Sequence, residues 1–186
     1  MTWLKNLFNP APPYPPSDSP PALAAELIEA EAMAAELDDY LLGDRLFRQI
    51  VVETPAGTRR PKMTLGCLWE RIQHLQNAAD LGPQDRKRLA AVQEAWDTAR
   101  RLYPDQFKRK LRRELDSYLK NWRYYLEQRA SDPDRWEADL QAELRNRRRV
   151  ELVLRLLGPD APYGLLEDLE TLEQDLDINV TQKDES

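Results

Sequence analysis

Apolar residues recur along most of this chain at three- and four-residue steps, the period of a helix lying on a core. Leu23, Leu27, Ala30, Ala34, Leu37 and Leu41 step 4, 3, 4, 3, 4. That spacing predicts one long helix, with Ser19 as N-cap, Pro20 at the first helical position and a stop at Gly43. Leu65, Leu68, Ile72, Leu75 and Ala79, with Trp69 beside them, predict a helix over 65–80 capped by Thr64. Leu89, Val92, Trp96, Ala99 and Tyr103 predict another over 84–103, opened by Gly82-Pro83 and broken at Tyr103-Pro104.

The strongest signals lie between 104 and 157. They read as two long helices, 105–129 and 133–157, joined at Ser131-Asp132-Pro133. In the first, Phe107, Leu111, Leu115, Tyr118, Leu119, Trp122, Tyr125 and Leu126 fall within about a third of the helical circumference. In the second, Trp136, Leu140 and Leu144 begin the stripe, and 150–157 is apolar nearly all round. Trp122 and Trp136 are therefore expected in the core. Gly158-Pro159 ends this helix. Leu165, Leu169, Leu172 and Leu176 then mark a short acidic helix, followed by a tail.

One stretch has a different period. Residues 47–54 are rich in β-branched side chains and predict a strand. Thr54-Pro55-Ala56-Gly57 fits a type I turn with Gly57 left-handed, so 58–63 returns as the partner strand. Pro61 makes that strand an edge, because proline has no N–H to give to a ladder. The expected fold is mainly α: a bundle of five to six helices with one inserted two-stranded β-hairpin. Three segments are expected: 1–21, 22–158 with the hairpin near 47–63, and 159–186.

The first segment is an apolar octet followed by a proline-rich linker. Trp3, Leu4, Leu7 and Phe8 share one side of two helical turns, a candidate docking peptide. Seven of the fourteen prolines lie in 9–21, which excludes a helix there. With one lysine, the octet suits only weak peripheral membrane contact. No apolar run approaches the ~18 residues of a transmembrane segment, and no signal peptide is evident. A length of 186 residues suits one domain. The lone Cys67 excludes an internal disulfide and points to a reducing, cytoplasmic setting.

Charge changes the picture more than composition does. The formal net charge of −6 divides into −4 over 1–99, +6 over 100–149 and −8 over 150–186. Arg109, Arg112, Arg113, Lys120 and Arg123 lie opposite the apolar stripe of the 105–129 helix. Arg145, Arg147, Arg148 and Arg149 form a second cluster, and Arg59, Arg60 and Lys62 a third on the hairpin. Such faces suit an acidic protein or phosphates. They also suit plain solvation, with neighbouring acids as partners. The acidic helix at 165–176 is itself a candidate partner for the basic face.

Catalytic chemistry has little to work with. His74 is the one histidine, and no nucleophile elbow, phosphate-binding glycine loop or cysteine pair at metal spacing is present. Cys67, Glu70 and His74 share a helix face, but Cys67 and His74 stand about 10 Å apart along the axis. They read as a half-buried thiol beside a surface Glu70–His74 pair. No catalytic, cofactor or metal residue is assigned. The expectation is a non-enzymatic cytoplasmic protein-interaction module: a scaffold, adaptor or regulatory subunit with a protein partner. The alternative is a nucleic-acid-binding accessory protein using the basic helix face and hairpin.

Overall fold

The computed structural model describes residues 14–131 and 140–175. They form a mainly α-helical protein with an inserted β-hairpin. Two compact units are present, one ending at Pro104 and one beginning at Asp105.

The first unit is built around α1 (Pro21–Ala35). Pro21 opens the helix and Pro20 is its N-cap, one residue later than expected. Fixed proline φ prepares the first turn without a side-chain cap. Ser19 caps nothing on α1; its hydroxyl accepts the N–H of Gly82 at 2.9 Å. Ala24, Ala25, Leu27, Ile28, Ala30 and Met33 are all buried. They cover more than the single seam of the heptad, because α1 packs against α3 (Leu65–Asn77), α4 (Pro83–Leu102) and the hairpin. The small alanines let neighbouring helices approach closely. The helix breaks at Glu36 (φ −92°, ψ 1°), and α2 (Leu37–Leu42) continues it with Leu37, Tyr40 and Leu41 buried.

Helix α3 starts where expected: the Thr64 hydroxyl accepts the N–H of Cys67 at 3.0 Å. Leu65, Leu68, Ile72 and Leu75 face the core from α3, and Leu89, Val92, Trp96 and Ala99 from α4. Trp69 stacks on Trp96 with ring centroids 5.0 Å apart. Acidic residues of α1 fasten both neighbours. Glu29 accepts from Arg71 Nη2 at 2.6 Å, Glu26 lies 2.6 Å from His74 Nδ1, and Glu31 takes Arg88 Nη2 at 2.6 Å.

The hairpin consists of two short antiparallel ladders in one register. β1 (Arg48–Gln49) pairs with β4 (Lys62–Met63), and β2 (Val52–Thr54) with β3 (Gly57–Arg59). Between them Ile50 donates to the carbonyl of Pro61 at 3.0 Å. The return bond is missing because proline has no N–H, which explains the interruption. Gly57 has φ +94°, as the turn requires. Thr54, Pro61 and Met63 on the inner face are buried.

A cluster of charge joins the residues before α1 to the start of α4. Asp18 accepts the N–H groups of Gln84 at 2.9 Å and Asp85 at 3.2 Å, capping α4 from 66 residues away. A Cβ on Gly82 would come within 2.2 Å of the Asp18 carboxylate. Asp85 itself is fully buried. It accepts from the Ser17 hydroxyl, and from Arg88 Nη1 at 2.8 Å. Burial pushes its pKa up, but hydrogen bonds from Ser17, Ser19 and Arg88 outweigh that and hold it below the ordinary 3.8.

In the second unit α5 (Pro104–Ser131), α6 (Leu140–Leu157) and α7 (Leu165–Asp175) surround a core. Every residue of the predicted stripe from Phe107 to Leu126 is buried, Trp122 completely. Among the described residues Leu144, Val150, Val153, Leu157 and Leu169 join it. Trp136, Leu176 and the side chain of Leu172 lie outside the described residues. Gly158, at φ +55°, ends α6, and a 3-10 turn (Gly158–Asp160) follows.

Two stability measurements test the polar joint in the first unit. Gly82→Ala should displace Asp18 and cost about 1 kcal/mol in urea unfolding, the usual loss of a helix cap. Asp85→Asn should cost about 2 kcal/mol at pH 7. Because the native pKa of Asp85 is depressed, its contribution is complete above pH ~4. It is lost as pH falls through the native value, so the gap between wild type and Asp85→Asn should narrow at pH ~3.

Candidate interaction surfaces

The outward side of α5 carries the basic face that the periodicity predicts. Arg109, Arg112, Arg113, Lys120 and Arg123 are all exposed. From Arg109 to Arg123 they span about 21 Å at 1.5 Å per residue. Asp116 interrupts the row, Glu127 follows one turn beyond its end, and Tyr124, 57% exposed, stands beside it. Asp116, Leu119, Lys120, Arg123, Tyr124 and Glu127 line an open depression of about 390 Å³.

The lower end of the row meets an acid of its own unit. Asp160 lies 2.6 Å from Lys108 Nζ and 3.7 Å from Arg112 Nη2. The Lys108 hydrogen bond, helped by the charges of Lys108 and Arg112, holds the Asp160 pKa below the usual carboxylate range. Lys120 and Arg123 are the cations that line the depression.

The second basic cluster divides. Arg145 and Arg148 are exposed, but Arg147 is buried. Its Nε donates to Glu173 Oε1, its Nη2 to Glu173 Oε2 at 3.2 Å, and its Nη1 to Glu151 at 2.9 Å. Trp122 Nε1 donates to the same Glu173 oxygen at 2.8 Å. The acidic helix therefore does dock within its own unit, through Leu169 and Glu173. Its Glu173 carboxylate meets Arg147 and Trp122, while Glu167, Asp168 and Glu170 face solvent.

The helical position of Arg147 was the missed signal. It falls between Leu144 and Val150 on the inner stripe of α6, so its backbone already points inward. Lys110 and Glu114, both buried, occupy the equivalent inward positions one turn apart on α5. Glu173 follows Leu169 by four residues on α7. A charged residue that stays buried on an apolar stripe is one that has found a partner.

The hairpin cluster belongs to the first unit. Arg59, Arg60 and Lys62 are exposed, and strand alternation sends Arg60 and Lys62 to one face and Arg59 to the other. Lys62 Nζ sits 3.7 Å above the Phe47 ring. Trp3, Leu4, Leu7 and Phe8 lie outside the described residues. Cys67 is buried rather than half-buried, and His74 meets Glu26 of α1. Among the described residues no group of three His, Cys, Asp or Glu side chains is placed to hold a metal ion. Nor, among them, is any helix long and apolar enough to cross a membrane.

Comparison with protein-family models, curated proteins and solved structures gives no match. The surfaces themselves therefore carry the functional argument.

The two kinds of arginine should behave oppositely on truncation. Arg147→Ala leaves the Glu173 carboxylate short of its charged partner and should cost about 3 kcal/mol or more. Arg123→Ala, on the exposed face, should stay within about 0.5 kcal/mol of wild type. Urea unfolding followed by helical circular dichroism measures both.

Proposed function

We propose that this protein is a non-enzymatic cytoplasmic interaction module, a scaffold, adaptor or regulatory subunit. Its contact surface is the outward face of α5, and its partner is a protein that presents an acidic segment. The observation that carries this reading is the exposed row of cations with Tyr124 beside it. Exposed tyrosine and arginine are the residue types that most often anchor protein contacts. The same face carries Asp116 and Glu127. A mixed face suits a partner helix with a complementary mixture, whereas a phosphate backbone would be repelled at both acids. The acidic total charge and pI near 5.0 act most strongly against a dense polyanion such as a phosphate backbone. The apolar octet with Trp3, Leu4, Leu7 and Phe8 is the second contact element of this proposal.

Nucleic-acid binding is the second reading, supported by five cations on one helix face together with the basic hairpin. The two readings differ in what is bound and in how salt acts. Affinity capture from cell extract should compare wild type with Lys120→Glu/Arg123→Glu, after circular dichroism has shown equal helix content. The proposal expects specific proteins whose recovery drops about tenfold in the double variant, equivalent to ~1.4 kcal/mol. Equal recovery by both would reject the α5 face. Binding of mixed-sequence DNA at about 50 mM salt, weakening steeply as salt rises, would establish the second reading in its place.

A further inference from the structure

The buried contact between α7 and the rest of its unit has the form of a recognition site already filled. Glu173 enters a position where three N–H groups converge: Trp122 Nε1, Arg147 Nε and Arg147 Nη2. One edge of the Arg147 guanidinium is held separately, through Nη1 to Glu151 on the same helix. Glu151 in turn takes Arg155 Nη2 at 3.2 Å. The other edge, with its planar pair of donors, is left for an incoming carboxylate. That geometry is the bidentate fork by which arginine selects carboxylates. Trp122 adds a stacked neighbour, Tyr125, with centroids 5.4 Å apart. The carboxylate site therefore has its donors fixed before α7 is considered.

Among the described residues, few side chains of the occupant are buried. α7 is 11 residues long, below the length at which helices persist alone. Leu169 and Glu173, one turn apart, are its buried side chains among those described. Leu165 and Leu166 are half-buried, and Glu167, Asp168, Glu170 and Gln174 face solvent. The connection from α6 is exposed at Pro159, Pro162 and Tyr163. It carries two glycines at positive φ, Gly158 and Gly164, with open space where each Cβ would be. A buried ion pair is weak evidence of a firm hold, since an apolar pair of the same volume commonly holds as well or better. Among the described side chains, one leucine and one ion pair thus hold this short helix to its site.

We propose that the surface of α5 and α6 under α7 is a docking site for a helix of a partner protein. That helix presents a leucine and a glutamate one turn apart, and α7 occupies the site in its absence. The chain supplies its own stand-in for the partner, so binding requires α7 to leave. The site uses Trp122 and Arg147, not Lys120 and Arg123, and stands or falls independently of the outward face of α5. The chemistry of the occupant is read from what fits: an apolar branched side chain where Leu169 sits, and a carboxylate where Glu173 meets the fork.

The test uses the full chain and a fluorescent peptide copying residues 161–176. Glu173→Gln removes the charge that holds α7 and leaves the Arg147 fork intact. This variant should bind the peptide at least about tenfold more tightly than wild type does. A peptide carrying the same Glu→Gln change should lose that binding. Equal affinity of the two proteins, or equal binding of the two peptides, would overturn the proposal. Wild-type hydrogen exchange supplies a second measurement should Glu173→Gln fail to fold. Amides of α7 should exchange at least about 100-fold faster than those of α5 around Trp122. Exchange of both helices at one common rate would overturn the proposal as well.

Discussion

A carboxylate or guanidinium taken out of water costs several kcal/mol unless an opposite charge and further hydrogen bonds meet it. Glu173 and Arg147 are both buried, so each requires the other. Their meeting determines where α7 sits. Apolar contact alone would not do so, because a leucine slides on an apolar surface with little penalty. A two-pronged bond to Arg147, with Trp122 on one of its oxygens, has a single solution. Glu151 then fixes the guanidinium from the other side. The α7 register follows from these bonds.

The first unit obeys the same constraint. Asp85 is buried at the start of α4 and is met by Arg88, which also pairs with Glu31 on α1. The Glu31 hydrogen bond, with Asp85 behind it, holds the Arg88 pKa above its ordinary value. Ser17 and Asp18 add hydrogen bonds to the same turn, so a segment with no helix of its own becomes part of the α4 cap. The long-range N-cap removes two orphan donors that α4 would otherwise leave unpaired. Together these bonds tie the chain before α1 to α4, while Glu26 and Glu29 tie α1 to α3. Apolar burial supplies the mass of the core; charge pairing sets which helix lies where.

What could be read in the sequence divides along that line. The period of the apolar residues identifies the buried side of α5 from Phe107 to Leu126, and residue type identifies the Thr64 cap and the Gly57 turn. Each of these depends on residues near one another in the chain. The heptad on α1 was incomplete because it treats a helix as having one buried side. Ala24, Ala25 and Ile28 show that α1 is covered on several. In the sequence Arg147 reads as surface, because its neighbours at 145, 148 and 149 are arginines. Its place on the inner stripe, which depends only on the turn of the helix, outweighed that local run. The Ser17–Asp18–Ser19 joint to α4 is not encoded in any local pattern. It exists because two segments more than sixty residues apart meet, and its one hint is Gly82, whose lack of a side chain leaves room for Asp18.

The placement of α7 in the second unit rests on one buried pair, whose coupling can be measured. A double-mutant cycle on Arg147 and Glu173, using Arg147→Met and Glu173→Leu with urea unfolding, isolates that term. A coupling of about 2 kcal/mol or more is expected, as for groups in one buried network. A value below about 0.5 kcal/mol, the range of an exposed ion pair, would mean that the pair does not set the position of α7.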